Sequence, residues 1–166
     1  MAQEISRARA VLHHHPIYRI EIKIKPIDPL AWLAAQDSAV KIYGANQDDS
    51  AAIAGIGEAA CVGASGRVNY PSVFRCLRKY LRPQYPYLQW YGGFCFDDRA
   101  AGSFRFVLPR FELARDLGRM IFCCNLIGPL SPAAIRRIIR DLDRSREKIS
   151  LKSGALKAIL RRDNPS

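Results

Sequence analysis

The chain has 166 residues, of which 49% are hydrophobic and 25% are charged, so we expect one globular domain with a real core. Its formal net charge is +11, and so basic a chain can have nucleic acid, anionic lipid or an acidic protein as its partner. No apolar run approaches the length of a membrane span and no secretory signal core is present, so we expect a cytosolic protein.

The chain divides by pattern into three parts. Residues 1–16 show no regular hydrophobic period and predict a flexible leader, in which His13, His14 and His15 have adventitious metal binding as a remote alternative role. Residues 17–130 predict an α+β scaffold domain, and residues 131–166 a basic amphipathic helical tail.

Structure is expected to begin with a strand at Ile17 and to continue into a short helix. Asp28 stands at an N-cap position with Pro29 at the first helical position. Trp32 is predicted to anchor this helix in the protein core. The preceding strand alternates an apolar face with a charged face, which we interpret as solvated; the apolar residues are Tyr18, Ile20, Ile22 and Ile24, and the charged ones Arg19, Glu21, Lys23 and Lys25.

Two further strands and a helix follow. The strands are predicted over 39–43 and 53–61, and the second contains so many glycines and alanines that another part of the chain must pack closely against it. A helix is predicted over 70–81 from its apolar spacing. Its basic strip is most simply a solvated face, although phosphate binding is the functional alternative; the strip is Arg75, Arg78, Lys79 and Arg82.

The densest pattern lies between residues 87 and 113 and predicts a β-hairpin. Its first strand alternates bulky apolar residues and is interrupted by Gly92 and Gly93, which is typical of sheet curvature or close backbone approach, with ligand contact less favoured. A polar turn is predicted from Asp97 onward. The apolar residues of the two strands are Leu88, Trp90, Phe94, Phe96, Phe104, Phe106 and Leu108.

The second strand of this hairpin contains a proline. Because Pro109 cannot donate a ladder hydrogen bond, we expect the strand to end, turn or lie at a sheet edge near Leu108. Arg110 and Glu112 are two residues apart, so they should share one face and can pair with each other.

The last predicted strand, 119–127, is apolar on both faces, so both faces of the sheet should be covered there. A helix beginning at Ser131-Pro132 and a weaker amphipathic segment follow, with ten basic and four acidic residues from Ser131 onward. This charge fits three alternatives: a linker toward another domain, a tail that binds RNA or DNA, or a docking site for an acidic partner. Nucleic acid is the less favoured of these, because no aromatic residue follows Phe122.

The five cysteines are predicted to be reduced thiols in the core. They show no zinc-knuckle spacing, and Cys123 and Cys124 are adjacent, so in a strand they face opposite sides. The other three are Cys61, Cys76 and Cys95. With the element order above, the sequence predicts an α+β fold with a mainly antiparallel sheet and flanking helices.

At the hairpin the sequence resembles the amino-terminal half of isochorismate synthases, in the chorismate-utilising enzyme family. The run Tyr91-Gly92-Gly93-Phe94 with Phe96-Asp97, and then Phe106-Val107-Leu108-Pro109-Arg110-Phe111-Glu112-Leu113, carries the resemblance. Two earlier stretches, 28–36 and 53–59, fit the same family, so that the resemblance runs from about residue 17 to about residue 148.

The resemblance implies an isomerase that converts chorismate to isochorismate for menaquinone, phylloquinone or siderophore synthesis. In that family magnesium holds the substrate carboxylate, a lysine activates water and a glutamate protonates the leaving group, all in a carboxy-terminal chorismate-binding domain. Those motifs have no counterpart here, so no catalytic or metal residue is carried over. We therefore expect a non-catalytic portion that partners a catalytic domain, covalent or separate, and expect simpler roles for Glu58, Asp97, Asp98 and Glu112. A free-standing basic module that binds RNA or an acidic protein, or an inactive remnant, is the alternative.

Overall fold

The computed structural model describes residues 1–12, 16–48, 50–64, 68–95, 104–116 and 118–147. Within them, the strands are β1 (Ile17–Ile24), β2 (Lys41–Ala45), β3 (Ala51–Ala64), β4 (Tyr91–Phe94), β5 (Phe104–Asp116) and β6 (Arg119–Ile127), and the helices are α1 (Ala2–Val11), α2 (Pro29–Ala35), α3 (Tyr70–Arg78) and α4 (Pro132–Glu147). The six strands form one antiparallel sheet in the order β1-β6-β5-β3-β2, with β4 paired to β5. The predicted α+β class with an antiparallel sheet is confirmed.

The main core lies between one face of the sheet and helices α1, α2 and α4. Trp32 of α2 is 3% exposed and meets the Phe122 ring edge-on, with 6.2 Å between ring centroids. Phe111 of β5 stacks on the same Phe122 ring at 6.0 Å. Trp32 is therefore an anchor that fixes α2 on the sheet through β6.

The amino terminus is not the flexible leader that the sequence predicts. Residues Ala2–Val11 form α1, and Ile5, Ala8 and Leu12 are buried in the main core. A Cβ added to Gly128 would lie 2.6 Å from the Leu12 Cβ, so the end of α1 packs directly on the chain that follows β6. The helix is short and only weakly patterned, and its burial depends on contacts with residues more than a hundred positions away.

Pro109 lies inside a central strand, so the prediction that the strand ends, turns or forms an edge there is wrong. β5 pairs with β3 along its length, and the register shifts between Glu58 and Ala60, opposite Pro109. The residue lacking an N–H thus faces the irregular part of the ladder, where its missing donor costs least. Gly57 takes a φ of +64° at this bulge.

The sequence predicts that another part of the chain packs closely against the small residues of β3, and at Gly55 that part is the same proline. A Cβ on Gly55 would lie 2.7 Å from the Pro109 Cγ, so only glycine leaves room for the pyrrolidine ring.

The predicted hairpin is confirmed, with β4 antiparallel to β5 from Tyr91↔Val107 to Phe94↔Phe104. Its first strand is shorter than predicted, and Leu88 lies before it. Close approach occurs at Gly92, where an added Cβ would lie 1.9 Å from the Arg105 carbonyl oxygen, whereas Gly93 has nothing within 4 Å. The predicted turn from Asp97 lies outside the described residues.

The helix starts follow the predicted capping chemistry. Asp28 accepts from the Leu30 amide at α2, and Ser131 accepts from the Ala134 amide at α4. Residues 148–166, which include the weaker amphipathic segment, lie outside the described part. None of the helices described is both long and apolar enough to cross a membrane.

The prediction that the cysteines are core thiols holds for two of them only. Cys123 and Cys124 are buried on opposite faces of β6, whereas Cys61, Cys76 and Cys95 are exposed. The three exposed cysteines lie in short apolar segments, and the composition of such a segment does not show which of its side chains are exposed to solvent.

Candidate functional site

A buried charged network crosses the sheet on the face away from the main core. Arg19 of β1 is 4% exposed; its Nη1 donates to Glu112 Oε2 at 2.5 Å and to Asn125 Oδ1 at 2.7 Å, and its Nε donates to Glu21 Oε1 at 2.8 Å. The prediction of a solvated charged face on β1 is therefore wrong at Arg19. Three strands, β1, β5 and β6, are tied together by one side chain.

This face is buried because the segment between α3 and β4 covers part of it. Leu88 packs with Ile17 and Leu108, and three aromatic side chains surround them: Tyr80, Tyr85 and Trp90. The Trp90 Nε1 donates to the Leu77 carbonyl at 3.0 Å, which fixes the covering segment to α3. Trp90 and Leu108 thus serve packing in this second core.

Glu112 is 0% exposed and pairs with Arg19, so the prediction that it pairs with Arg110 is wrong. Burial raises the pKa of the Glu112 carboxyl, and the adjacent Arg19 charge opposes this shift. Burial alone would lower the pKa of the Arg19 guanidinium, but Cys123 and Glu112 nearby, with the hydrogen bonds to Glu21 and Glu112, raise it.

The network is incompletely satisfied. Arg19 Nη2 and Glu112 Oε1 are buried, and neither has a hydrogen-bond partner in the described part of the chain. Tyr91 lies close by, and burial together with the charge of Glu112 raises the pKa of its phenol. Because these two buried atoms lose water without gaining a partner, the network adds less stability than a fully hydrogen-bonded one would.

The Arg110 side chain does not bind Glu112, with which it was predicted to share a face of the strand. Its Nη1 donates to the Asn125 carbonyl at 2.8 Å and its Nη2 to the Glu58 carbonyl at 3.2 Å. Burial lowers the pKa of the Arg110 guanidinium. Among the described side chains, no carboxylate forms an ion pair with it. Its long side chain reaches backbone carbonyls of the two neighbouring strands, β6 and β3, while the Glu112 carboxylate is already bound by Arg19.

Arg110 lines a cleft of about 810 Å³ between α4 and the sheet. The α2–β2 connection and the β3 bulge form its other walls. The residues contributed by the sheet and by these walls are Gln36, Asp37, Ser38, Ala39, Ile56, Gly57, Glu58, Arg110 and Phe111; those on the α4 side are Leu130, Ala134, Arg137, Ile138, Asp141, Arg144 and Ser145.

A second surface feature is an exposed aromatic cluster at the other end of the sheet. Tyr70 and Phe74 of α3 are 48% and 46% exposed, and both rings contact Phe94 of β4, with centroid distances of 4.9 and 6.1 Å. Phe74 is one of the apolar residues at helical spacing in α3, but only Val73 and Leu77 are buried there. An exposed aromatic cluster of this kind is typical of a protein-contact surface.

The remaining acidic candidates have structural roles or fall outside the description. The Glu58 carboxylate forms an ion pair with Arg105 at the surface. Asp97 and Asp98 lie outside the described residues. Within those ranges, no group of three or more His, Cys, Asp or Glu side chains could hold a metal ion.

The comparisons with known proteins agree with this fold. A model of the family described as "Chorismate binding enzyme" matches residues 3–162. The chain belongs to this family.

Among solved structures, this member of the chorismate-binding family is similar to MenF, the menaquinone-specific isochorismate synthase from Escherichia coli, with a TM-score of 0.58 and 20% identity. The likeness covers 93% of this chain but 36% of that chain, so this chain spans about a third of the related one. Among curated proteins, none matches the sequence.

Sequence reasoning missed Arg19 and Asn125 as buried polar residues. One signal was available, since Ile17 shares the charged face of β1 and β6 is apolar on both faces. These features together indicate a covered second face, and a charge placed there must be paired.

Proposed function

We propose that this chain is the non-catalytic amino-terminal part of an isochorismate synthase, the enzyme that converts chorismate to isochorismate. The observation that carries the proposal is that the fold of a menaquinone-specific isochorismate synthase accounts for 93% of this chain while leaving most of that enzyme unmatched. The chemistry then belongs to polypeptide that this chain contacts, and the chain supplies a scaffold for menaquinone, phylloquinone or siderophore synthesis.

Among the residues described here, no group of three or more His, Cys, Asp or Glu side chains could hold a metal ion, so none of them is proposed as a ligand of the magnesium ion that such an isomerase uses. In the proposal, the magnesium ion and the acid–base groups are held by the chorismate-binding catalytic domain. The scaffold contributes rigidity, through a main core that anchors three helices and through Arg19 of β1, which pairs with Glu112 of β5 and donates to Asn125 of β6.

We place the contact with the catalytic domain at the exposed aromatic cluster of Tyr70, Phe74 and Phe94. Exposed rings gain most from burial against a partner, and aromatic side chains dominate the energy of protein interfaces. Two exposed basic residues of α3, Arg75 and Arg78, and Lys79 directly after it would steer an acidic partner onto this cluster.

The experiment mixes the full chain with a separately expressed chorismate-binding catalytic domain and follows chorismate consumption with magnesium present. We expect the two polypeptides to co-migrate in gel filtration and the rate to exceed that of the catalytic domain alone. Absence of both effects would remove the proposal. Isomerisation of chorismate by the purified chain alone would show that the reactive groups lie within it.

Two matched variants locate the contact. Phe74→Ser removes an exposed ring of the aromatic cluster, whereas Leu30→Ser removes a comparably exposed apolar side chain, 52% exposed, from α2. We expect the first variant to weaken association roughly tenfold or more and the second to leave it unchanged. Equal effects would place the contact elsewhere on the chain.

A free-standing basic binding module is the second candidate, and the exposed arginines of α4 are the observation that favours it: Arg136, Arg137, Arg140 and Arg144. An RNA complex formed by such residues should weaken steeply between low and moderate salt, since bound counterions are released on binding. RNA affinity that is unchanged over that range would argue against this candidate.

The location of the protein in the cytosol also stays a prediction.

A further inference from the structure

We propose that the open edge of β3 pairs with the same edge of a second copy of this chain, so that two sheets join into one across a two-fold axis at Cys61. The contact uses the backbone of β3, whereas the proposed contact with a catalytic domain uses the side chains of the aromatic cluster. The inference does not depend on the proposed function.

β3 is longer than the strand beside it, which leaves part of its edge open. β2 pairs with β3 from Ala52 to Ile56, whereas β5 pairs with the other side of β3 as far as Ala64. From Ala59 to Gly63, no strand in the described part of the chain lies on the side away from β5. The backbone N–H and C=O groups along such an edge are a template for another strand.

The other edges of the sheet are protected in ways that this one is not. β2 and β4 are five and four residues long, and the outer strand β1 carries Glu21 and Lys23. Short strands and charged side chains, lysine above all, discourage pairing between sheets. The stretch 59–63 contains no charge and no proline, and none of its side chains is larger than that of Val62.

The edge is complementary to itself. In an antiparallel pair centred on Cys61, the middle residue of the open stretch, Ala60 lies opposite Val62 and Ala59 lies opposite Gly63 in both halves of the contact. Small uncharged residues then meet small uncharged residues throughout. Because each copy uses its open edge in this contact, the association closes at a dimer.

Two charged residues flank the edge and favour a second copy as the partner. Glu58 precedes the open stretch, and Arg105 of β5 is the register partner of Gly63 at its other end. The two side chains form an ion pair within one chain, and that of Arg105 is 61% exposed.

The dimer places these charges next to their opposites in the other copy. Glu58 of one copy lies beside Gly63 of the other, about 10 Å, or two strand spacings, from the Arg105 backbone. Gly63 puts no side chain between them. Each Arg105 can therefore bind a carboxylate of the second copy, and the two-fold axis repeats this contact at both ends of the paired edge.

Sedimentation velocity of the full chain over a range of concentrations tests the dimer. We expect a monomer–dimer equilibrium without larger species. The dimer should strengthen from low to moderate salt, because screening weakens the repulsion between two chains that each carry a net charge of +11. A monomer at every soluble concentration, or open-ended association into larger species, would overturn the proposal.

Two substitutions at Cys61 form a matched pair. Cys61→Lys places two like charges opposite each other at the axis, so the dimer affinity should fall roughly tenfold or more. Cys61→Ser adds no charge and should dimerise as the unaltered chain does. Cys76→Lys adds the same charge at an exposed position on α3 and should also leave the dimer unchanged. Equal weakening by the two lysine variants, with folded spectra retained, would refute the assignment to the edge.

A disulfide at the axis tests the register. Directly opposed residues of antiparallel strands have Cα atoms about 4.5–5.5 Å apart, which is within the range that a disulfide spans. Diamide takes up two electrons and two protons from two thiols. It should link two chains through Cys61 in the variant Cys76→Ser/Cys95→Ser. It should not link Cys61→Ser/Cys95→Ser, which keeps the exposed Cys76. Linkage through Cys76 at the same rate would contradict the register.

Binding to the separately expressed catalytic domain distinguishes a second copy from another occupant of the edge. We expect Cys61→Lys to leave that binding unchanged while it weakens the dimer. If it weakens binding to the catalytic domain and leaves self-association unchanged, the edge belongs to that domain and the assignment to a second copy is wrong.

Discussion

At Gly92 the backbone of β4 lies too close to β5 for any side chain. The φ of +145° is one that side-chain-bearing residues rarely adopt, and an added Cβ would lie 1.9 Å from the Arg105 carbonyl oxygen. We expect Gly92→Ala to lower the free energy of unfolding by about 1–3 kcal/mol, because strain and crowding act together. Urea denaturation measures this change.

Gly93 provides a control one residue away. A Cβ there would meet nothing within 4 Å, so Gly93→Ala should change the free energy of unfolding by less than about 0.5 kcal/mol. Equal destabilisation by the two variants would show that the strand as a whole, and not the approach at Gly92, requires glycine. The sequence predicts close approach at the glycine pair, but which of the two requires it depends on the register with β5.

The Arg19–Glu112 ion pair stabilises the fold less than its short distance suggests, because both charges are desolvated. Each partner keeps one buried polar atom without a hydrogen bond in the described chain, so the attraction between the charges only partly offsets their desolvation. We expect Arg19→Met to destabilise the fold by about 3–5 kcal/mol, because Glu112 is then left charged and unpaired in the interior.

The matched double variant tests this explanation. Arg19→Met combined with Glu112→Leu removes both charges and keeps similar volumes, so it should recover most of the stability lost in the single variant. Thermal and urea denaturation of the two single variants and the double variant complete the cycle. Additive losses would mean that the side chains act through packing and not through each other.

Among the elements, α1 shows how a helix can depend on the rest of the fold. Ile5 is 0% exposed within the main core, whereas the Arg7 side chain is 72% exposed. We expect Ile5→Ala to cost about 2–5 kcal/mol and Arg7→Ala to be nearly neutral, as measured by denaturation. If Ile5→Ala left stability unchanged, the packing of α1 on the core would be wrong and the flexible leader would be reinstated.

The sequence predicts the elements with clear local signals and misplaces those that depend on distant partners. The Asp28-Pro29 start of α2 and the Ser131-Pro132 start of α4 are local capping chemistry, and both helices begin there. The continuation of β5 through Pro109 depends instead on a bulge in β3, some fifty residues earlier in the sequence. A bulge of that kind cannot be inferred from the strand that contains the proline.

At the scale of the whole molecule, the sequence yields the fold class and the family and leaves the site unseen. Alternation assigns Arg19 to the charged face of β1, yet it cannot tell that the segment before β4 covers that face. The cleft at Arg110 combines α4, the α2–β2 connection and the β3 bulge, which lie far apart in the chain. A site assembled from such segments has no local pattern from which it can be predicted.

The reactivity of the cysteines tests whether both faces of the sheet are covered. Cys124 is part of the main core and Cys123 lies beside the Arg19–Glu112 pair, and burial raises the pKa of both thiols, to about 12 for Cys124. Because the thiolate is the reactive form, a thiol reagent should modify the other three in the folded chain, Cys61, Cys76 and Cys95, and all five once it is unfolded.

Titration with a chromogenic disulfide in native buffer and in denaturant gives the two counts, and peptide mapping identifies the modified residues. The variant Cys61→Ser should lower both counts by one, since Cys61 is exposed. The variant Cys124→Ser should lower only the count in denaturant, provided that it still folds. Rapid native modification of Cys123 or Cys124 would mean that β6 is not covered on both faces, and the two-core arrangement of the sheet would then be wrong.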